Sequence, residues 1–173
     1  MTSHRIMMAG AGGQGILFIG KLLANAALRE VAHVTFIPSY GAEVRGGPSS
    51  CQVILSDAEI SSPVAERFDA MILMNQDSVA RLLPQLARGG LAVINRSLSQ
   101  AEAAPNRLLV PATERAEELG DGRGASLIML GVLLKARPLV SPASVEALLR
   151  QTSGRKAAVL DSNLAAFRVG LEA

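Results

Sequence analysis

The strongest chemical signal in this 173-residue sequence is the run Gly10-Ala11-Gly12-Gly13-Gln14-Gly15. It follows a short apolar segment and precedes a helical pattern, the context in which a G-x-G-x-x-G sequence can hold a phosphate. The glycines permit a tight turn and close backbone approach. The helix that follows offers free N–H groups and a partial positive charge. Two outcomes stay open for the turn: a ligand or partner contact, or simply close packing of the helix on its sheet. A dinucleotide site also needs an acid about 20 residues further on to grip the ribose. The residues there read Phe36-Ile37-Pro38-Ser39, with no acid, so NAD binding loses much of its support.

A second segment, Ser39-Tyr40-Gly41-Ala42-Glu43-Val44-Arg45-Gly46-Gly47, holds the only tyrosine of the chain, one acid and one arginine. Glu43 and Arg45 could pair with each other. Arg45 could instead bind a carboxylate or phosphate bidentately. In an α/β sheet, ligands sit beyond the carboxyl ends of the parallel strands. A loop leaving the second strand at that edge should lie beside the glycine turn. A glycine-flanked loop with aromatic and ionic residues reads as a functional or interface segment.

These residues need elements to hold them. His4–Ala9 is an apolar run ending in glycine and predicts a strand. Gln14–Glu30 is helical in pattern, with Ile16, Ile19, Leu23, Ala26 and Ala27 on one face. Val31–Ile37 predicts the second strand, with His33 inside its apolar pattern. Residues 38–49 carry Pro38, Gly41, Gly46, Gly47 and Pro48. A parallel connection needs about a dozen residues, usually a helix. The third strand, Ser50–Ser56, is therefore expected to run antiparallel to the second. Ala70–Met74 predicts a strand and residues 79–86 a helix that Gly89-Gly90 terminates. Leu91–Asn95 and Arg107–Val110 predict further strands. The last third reads as helices over Ala125–Ala136, Ser144–Gln151 and Asp161–Leu171. The alternation gives an α/β fold with helices on the sheet faces.

Composition narrows the function. Apolar residues make up 49% and charged ones 18%, which suits one well-filled core and suggests a surface partly covered by other chains. The net charge is +2, without the basic stripe that nucleic acid binding requires. Ile6–Leu23 is interrupted by Gln14 and Lys21 and does not predict a membrane span, and no leader segment is expected. Cys51 is the single cysteine. It can anchor neither an iron–sulfur cluster, which takes about four thiolates, nor a disulfide, and it reads as a buried inert thiol in a reducing cytoplasm. Gly120-Asp121-Gly122 lacks the following asparagine that a thiamine diphosphate site uses and reads as an exposed turn. Glu114, Glu117 and Glu118 read as a solvated helix face. His4 is expected to be exposed and His33 structural. Ser97 and Ser99 lack a nucleophile-elbow context. No catalytic triad, paired carboxylates or metal ligands emerge.

Taken together, Gly12-Gly13-Gln14-Gly15 after a strand and Tyr40-Gly-x-Glu-x-Arg-Gly-Gly47 about 25 residues later resemble the gamma domain of 2-oxoacid:ferredoxin oxidoreductases. The similarity continues through Met74-Asn75-Gln76, Gly90–Asn95 and Leu130-Gly131, so it spans most of the chain. The resemblance implies one gamma-type domain over residues 1–173, with a Rossmann-like three-layer fold, a mostly parallel sheet and a helical C-terminal third. It implies a cytoplasmic hetero-oligomer that oxidises a 2-oxoacid (2-oxoglutarate, with pyruvate and branched-chain acids as relatives' substrates), forms acyl-coenzyme A and reduces ferredoxin. Thiamine diphosphate, Mg²⁺ and the iron–sulfur clusters are implied in alpha, beta and ferredoxin-like delta subunits, and neither catalytic nor metal-binding residues in this chain. Gly10, Gly12, Gly13, Gln14, Gly15, Tyr40, Glu43 and Arg45 are then the residues expected to face coenzyme A or a partner. A side chain at Gly12 is expected to block backbone approach and demand a disfavoured φ. The alternative is an independent nucleotide- or coenzyme A-binding domain.

Overall fold

The computed structural model describes residues 3–41, 46–152 and 157–173, and the backbone alone of Tyr40. Glu43 and Arg45 lie outside the described residues. Six strands form one sheet: β1 (Ser3–Ala11), β2 (His33–Tyr40), β3 (Pro48–Ser56), β4 (Phe68–Leu73), β5 (Leu86–Asn95) and β6 (Arg107–Val110). Their spatial order is β2-β3-β1-β4-β5-β6. As the breaker-rich connection predicts, β3 runs antiparallel to β2, and it also runs antiparallel to β1 on its other side. The pairs β1·β4, β4·β5 and β5·β6 are parallel, so β3 alone is reversed.

Both faces of the central strands are apolar because both are covered. On β1 the period-two pleat sends Ile6 and Met8 to one face and Met7 and Ala9 to the other. The first face carries α1 (Ile16–Ala27), α4 (Ala125–Ala136), α5 (Pro142–Thr152) and α6 (Ala157–Glu172), with Ala112 and Ala116 of α3 (Ala112–Glu118). The second is covered by α2 (Gln76–Leu82) through Val79 and Leu82. The architecture is the three-layer, mostly parallel α/β fold with a helical C-terminal third that the sequence implies. Ala125–Leu134 of α4 is buried on every side, which is how a helix behaves when sheet and helices enclose it. No helix among the described residues is long and apolar enough to cross a membrane.

Two expectations need correction. Residues 79–86 do not form one helix stopped by Gly89-Gly90. The helix ends at Leu82, a short 3₁₀ turn spans Leu83–Gln85, and β5 already begins at Leu86. Gly89, at φ +76°, lies within that strand, where the β4·β5 register shifts. A glycine in a strand pattern marks such an irregularity as readily as a helix end. Tertiary contacts hold it in place: the Arg137 guanidinium donates to Asp69 O and, at 3.2 Å, to Gly89 O. His33 is not enclosed by an apolar strand either; it opens β2 and is exposed, because the chain turns through Val31 and Ala32 before pairing begins.

Cys51 is 1% exposed beneath α1. Its Sγ lies 3.7 Å from Ile16 O, and a Cβ on Gly20 would overlap it, so Gly20 lets the helix settle on the sheet. Burial pushes the thiol up to about 12 from 9.0. The thiolate fraction near pH 8 is then about a thousand-fold below that of an unfolded thiol. Iodoacetamide should label native Cys51 only after unfolding by guanidinium; rapid native labelling at pH 8 would contradict this placement.

Candidate functional site

The glycine turn closes on itself. Ala11 N–H donates to Gln14 Oε1 at 2.7 Å, and Gln14 N–H donates to Ala11 O at 3.2 Å. The Gln14 oxygen is thus spent inside the turn. It sits where a Cβ on Gly10 would lie within 2.5 Å, so Gly10 makes room for it. Gly13 and Gly15 have φ of +93° and +76°, the left-handed region that favours glycine. Gly12 does not, which corrects the expected reason for its glycine. A Cβ there would meet Gly46 N at 3.4 Å, an ordinary contact, so neither φ nor room for a first side-chain carbon demands glycine at this position. Gly15 caps α1 without a side-chain hydrogen bond, and the first turn of α1 holds no acid. Within the helix itself, therefore, no side chain offsets its positive end.

The second segment does come to this turn. Gly12 N–H donates to Gly47 O at 2.8 Å, and Gly41 N–H donates to Pro48 O at 2.9 Å, closing the β2–β3 connection. Gly46 and Gly47 thus lie against Gly12, next in sequence to Arg45. Of the predicted residues, the structure gathers Gly10, Gly12, Gly13, Gln14 and Gly15 into one turn and ends β2 at Tyr40.

The crevice beside the turn has a topological cause. After β1 the chain passes to one face of the sheet as α1. After β4, the neighbouring strand, it passes to the opposite face as α2. The two carboxyl ends part there, and this is where open α/β sheets bind ligands. A cleft of about 300 Å³ occupies that point, lined by Gly10, Ala11, Gly46, Gly47, Asn75 and Arg81 among others. The Asn75 carboxamide accepts from Ser78 N–H at 2.9 Å, and Ser78 Oγ accepts from Asn75 N–H at 3.3 Å. This reciprocal cap fixes the start of α2. Sequence reasoning passed over Asn75, Asp77, Ser78 and Arg81 as site residues, although Asn-x-x-Ser after an apolar strand is a legible capping signal. The ribose grip of a dinucleotide site does not form, because β3 separates β2 from β1. The end of β2 is therefore about 10 Å from the turn at ordinary strand spacing.

Gly15 sits at a junction of elements: its Cβ would come within 2.5 Å of Ser126 Oγ at the start of α4. Gly15→Ala must accept both a left-handed φ, worth about 1–2 kcal/mol, and that clash. Urea unfolding should show at least that loss, and Ser126→Gly should restore part of it. A variant as stable as the parent would contradict the geometry.

Among the described residues, nothing is placed to hold the metal or iron–sulfur groups implied for the partner subunits. Cys51 is one buried, protonated thiol. Among the described residues no group of three or more His, Cys, Asp and Glu side chains is placed to hold a metal. Asp121 accepts from Arg123 Nε at 2.9 Å, from Arg123 Nη2 at 3.0 Å and from Ser162 Oγ at 3.4 Å. Its hydrogen bond with the Arg123 side chain holds the carboxyl below the usual range. That carboxylate caps its own turn and offers no vacant oxygen pair to Mg²⁺ and a diphosphate.

Fold and crevice define a Rossmann-like α/β domain with one reversed strand and a glycine turn at the switch point. The family description "Pyruvate ferredoxin/flavodoxin oxidoreductase" matches residues 5–173, and the chain belongs to that family. It is 34% identical over 170 residues to ketoisovalerate oxidoreductase subunit VorA of Methanothermobacter thermautotrophicus, covering 97% of this chain and 36% of that one. The chain thus spans about a third of the length of that relative. It is 34% identical over 168 residues to 2-oxoglutarate synthase subunit KorC of Archaeoglobus fulgidus, covering 96% of this chain and 86% of the relative. Its fold matches the keto/oxoacid ferredoxin oxidoreductase gamma subunit of Geobacter sulfurreducens with a TM-score of 0.80 and 26% identity, over 99% of this chain and 96% of that one.

Proposed function

We propose that residues 1–173 form one gamma-type unit, the gamma subunit of a 2-oxoacid:ferredoxin oxidoreductase, with 2-oxoglutarate as its oxoacid. The observation that carries this reading is the Gly12–Gly47 contact. It builds a composite edge at the switch point, with a helix end that no side chain within the helix offsets and no acid/base pair of its own among the described residues. Family membership and the 2-oxoglutarate synthase relative, matched over most of its own length, support the same reading. In it, alpha and beta subunits carry thiamine diphosphate, Mg²⁺ and the iron–sulfur clusters, and a ferredoxin-like delta subunit passes electrons on. The complex works in the cytoplasm. This chain supplies a docking edge and an anion-favouring access route for coenzyme A or substrate. Gly10, Gly12, Gly13, Gln14, Gly15, Tyr40, Glu43 and Arg45 belong to that edge.

Co-expression with candidate alpha and beta chains tests it. A stable complex should form and reduce an acceptor with 2-oxoglutarate and coenzyme A faster than with pyruvate or 2-oxoisovalerate. A lone monomer that ignores those chains sinks the subunit reading. Faster turnover of another oxoacid sinks the substrate alone. In the assembled enzyme, Arg45→Ala should raise the apparent KM for coenzyme A or oxoacid about ten-fold, the loss of one charge-assisted contact of roughly 1.4 kcal/mol, with kcat little changed. An unchanged KM with intact assembly would leave Arg45 with the Glu43 pairing only.

A further inference from the structure

The crevice at the switch point holds side-chain donors that the fold leaves free. Its backbone contributes little. Ala11 N–H is engaged by Gln14 Oε1 and Gly12 N–H by Gly47 O, and Pro48, in the same wall, has no N–H to give. Asn75 is different. Its Oδ1 accepts from Ser78 N–H at 2.9 Å, which settles the end of the carboxamide that is oxygen. Nδ2 therefore faces away from that bond, and no acceptor meets it among the described residues. The unpaired polar atoms sealed from solvent there are Thr35 Oγ1, Ser97 Oγ and Arg107 Nε. Asn75 Nδ2 is not one of them. It belongs to a half-buried residue that lines the crevice, so it is held in place and stays within reach.

Arg81 lines the same crevice and is exposed. Cα–Cβ bonds of a helix tilt toward its N-terminus, so this long side chain leans back toward Asn75. Asp77 lies one turn earlier, at the spacing of an i,i+4 pair, yet no ion pair joins the two. The guanidinium fork is thus free for the oxygens of a ligand. Asp77 also lines the crevice, and its carboxylate opposes a bound anion. A carboxylate has one oxygen edge, which the fork alone would take up. A phosphate presents oxygens on several sides and can meet the fork and the carboxamide nitrogen together.

We propose that this crevice is a phosphate-binding site, in which Asn75 Nδ2 and the Arg81 guanidinium hold the anion against the opposing charge of Asp77. It rests on the reading of the crevice as an anion route and names the anion. It is measured on this chain without partners, so the site and the subunit assembly can fail separately.

The full chain, labelled with ¹⁵N, is titrated in separate arms with inorganic pyrophosphate, glutarate and sodium chloride at matched ionic strength. Pyrophosphate should shift the Asn75 side-chain NH₂ and the Arg81 Nε–H resonances saturably. Asn75→Asp keeps an oxygen for Ser78 N–H, and aspartate caps a helix as well as asparagine does, but a charged acceptor replaces the donor. It should weaken pyrophosphate binding at least about ten-fold, read at Arg81 Nε–H, with the urea midpoint unchanged. Arg81→Gln should weaken it about ten-fold, read at the Asn75 NH₂. Asp77→Asn should act in the opposite direction and tighten it about three-fold, because a repelling charge is gone. Pyrophosphate shifts that are linear or matched by chloride overturn the site. So does wild-type affinity in folded Asn75→Asp or Arg81→Gln. Saturation by glutarate but not by pyrophosphate overturns the phosphate assignment.

Discussion

Gly170→Val should unfold this protein at a melting temperature roughly 10 °C below that of the parent, from a loss of about 3 kcal/mol at roughly 3 °C per kcal/mol for a chain of this size. The reason is how closely α4 and α6 cross. A Cβ on Gly170 would overlap Ile128 O and sit 2.9 Å from Gly131 Cα. A Cβ on Gly131 would overlap Phe167 O and meet Gly170 Cα at 2.9 Å. The obstacles are backbone atoms, which cannot rotate away. The opposing effect is helix propensity, since any residue but proline improves on glycine in mid-helix, by less than about 1 kcal/mol. Overlap wins because α4 cannot retreat: it is buried against the sheet on one side and against Phe167, at 0% exposure, on the other. Gly170→Ala should show the same sign with a smaller loss. Equilibrium unfolding in urea measures both. A Gly170→Val melting point within 2 °C of the parent would mean the helices do not touch as described.

The second large effect is expected at Asn95, which is 0% exposed. Its Nδ2 donates to Met74 O at 3.2 Å and to Thr113 Oγ1 at 2.9 Å. Its Oδ1 accepts from Ala112 N–H at 3.2 Å and from Ser97 N–H at 3.3 Å. Two donors and two lone pairs are all that a carboxamide has, and all are used. Asn95 thereby ties the end of β4, the end of β5 and the first residue of α3 together. Asn95→Leu keeps the branched shape, in a somewhat larger side chain, but strands several partners in the interior. At about 1–3 kcal/mol for each buried unsatisfied group, the net loss should be about 4 kcal/mol. Asn95→Asp should depend on pH. Burial raises that carboxyl above its unfolded value, so the variant is most stable while protonated, below about pH 4. It should lose stability as pH rises through the folded-state value. The wild type should not share that trend. Because Met74 leads directly into the Asn75 cap, amide resonances of Asn75 and Ser78 should also shift in Asn95→Leu. A melting point within 3 °C of the parent would show that the network contributes little.

Much of the fold is legible in the residue pattern. The turn between β1 and α1 announces itself, because only glycine tolerates the left-handed φ at Gly13 and Gly15. The reversal of β3 follows from Gly41, Gly46, Gly47 and Pro48, which leave no room for a crossover helix. The extent of α4, Ala125–Ala136, matches the pattern, since apolar helix formers dominate the run and the single Gly131 does not break it. Local patterns mislead where distant residues complete them. Helical pattern runs to Glu30, yet α1 ends at Ala27. The Glu30 carboxylate is recruited by Ser141 N–H, at 2.9 Å, and by Ser144 Oγ, at 2.5 Å, so it serves the start of α5 instead. Gly89-Gly90 reads as a helix stop, yet Arg137 from the end of α4 holds Gly89 inside a strand.

The candidate site divides the same way. The residue string alone specifies which backbone could turn tightly after β1, which loop carries an acid and an arginine, and that no ribose acid follows β2. Those are properties of a residue and its near neighbours, where φ preference and chemical type suffice. It takes the folded chain to bring Gly47 to Gly12, to send α1 and α2 from adjacent strands toward opposite faces, and to line the opening so made with Asn75 and Arg81. Those relations depend on strand order, and strand order is set by which faces must be buried across the whole sheet.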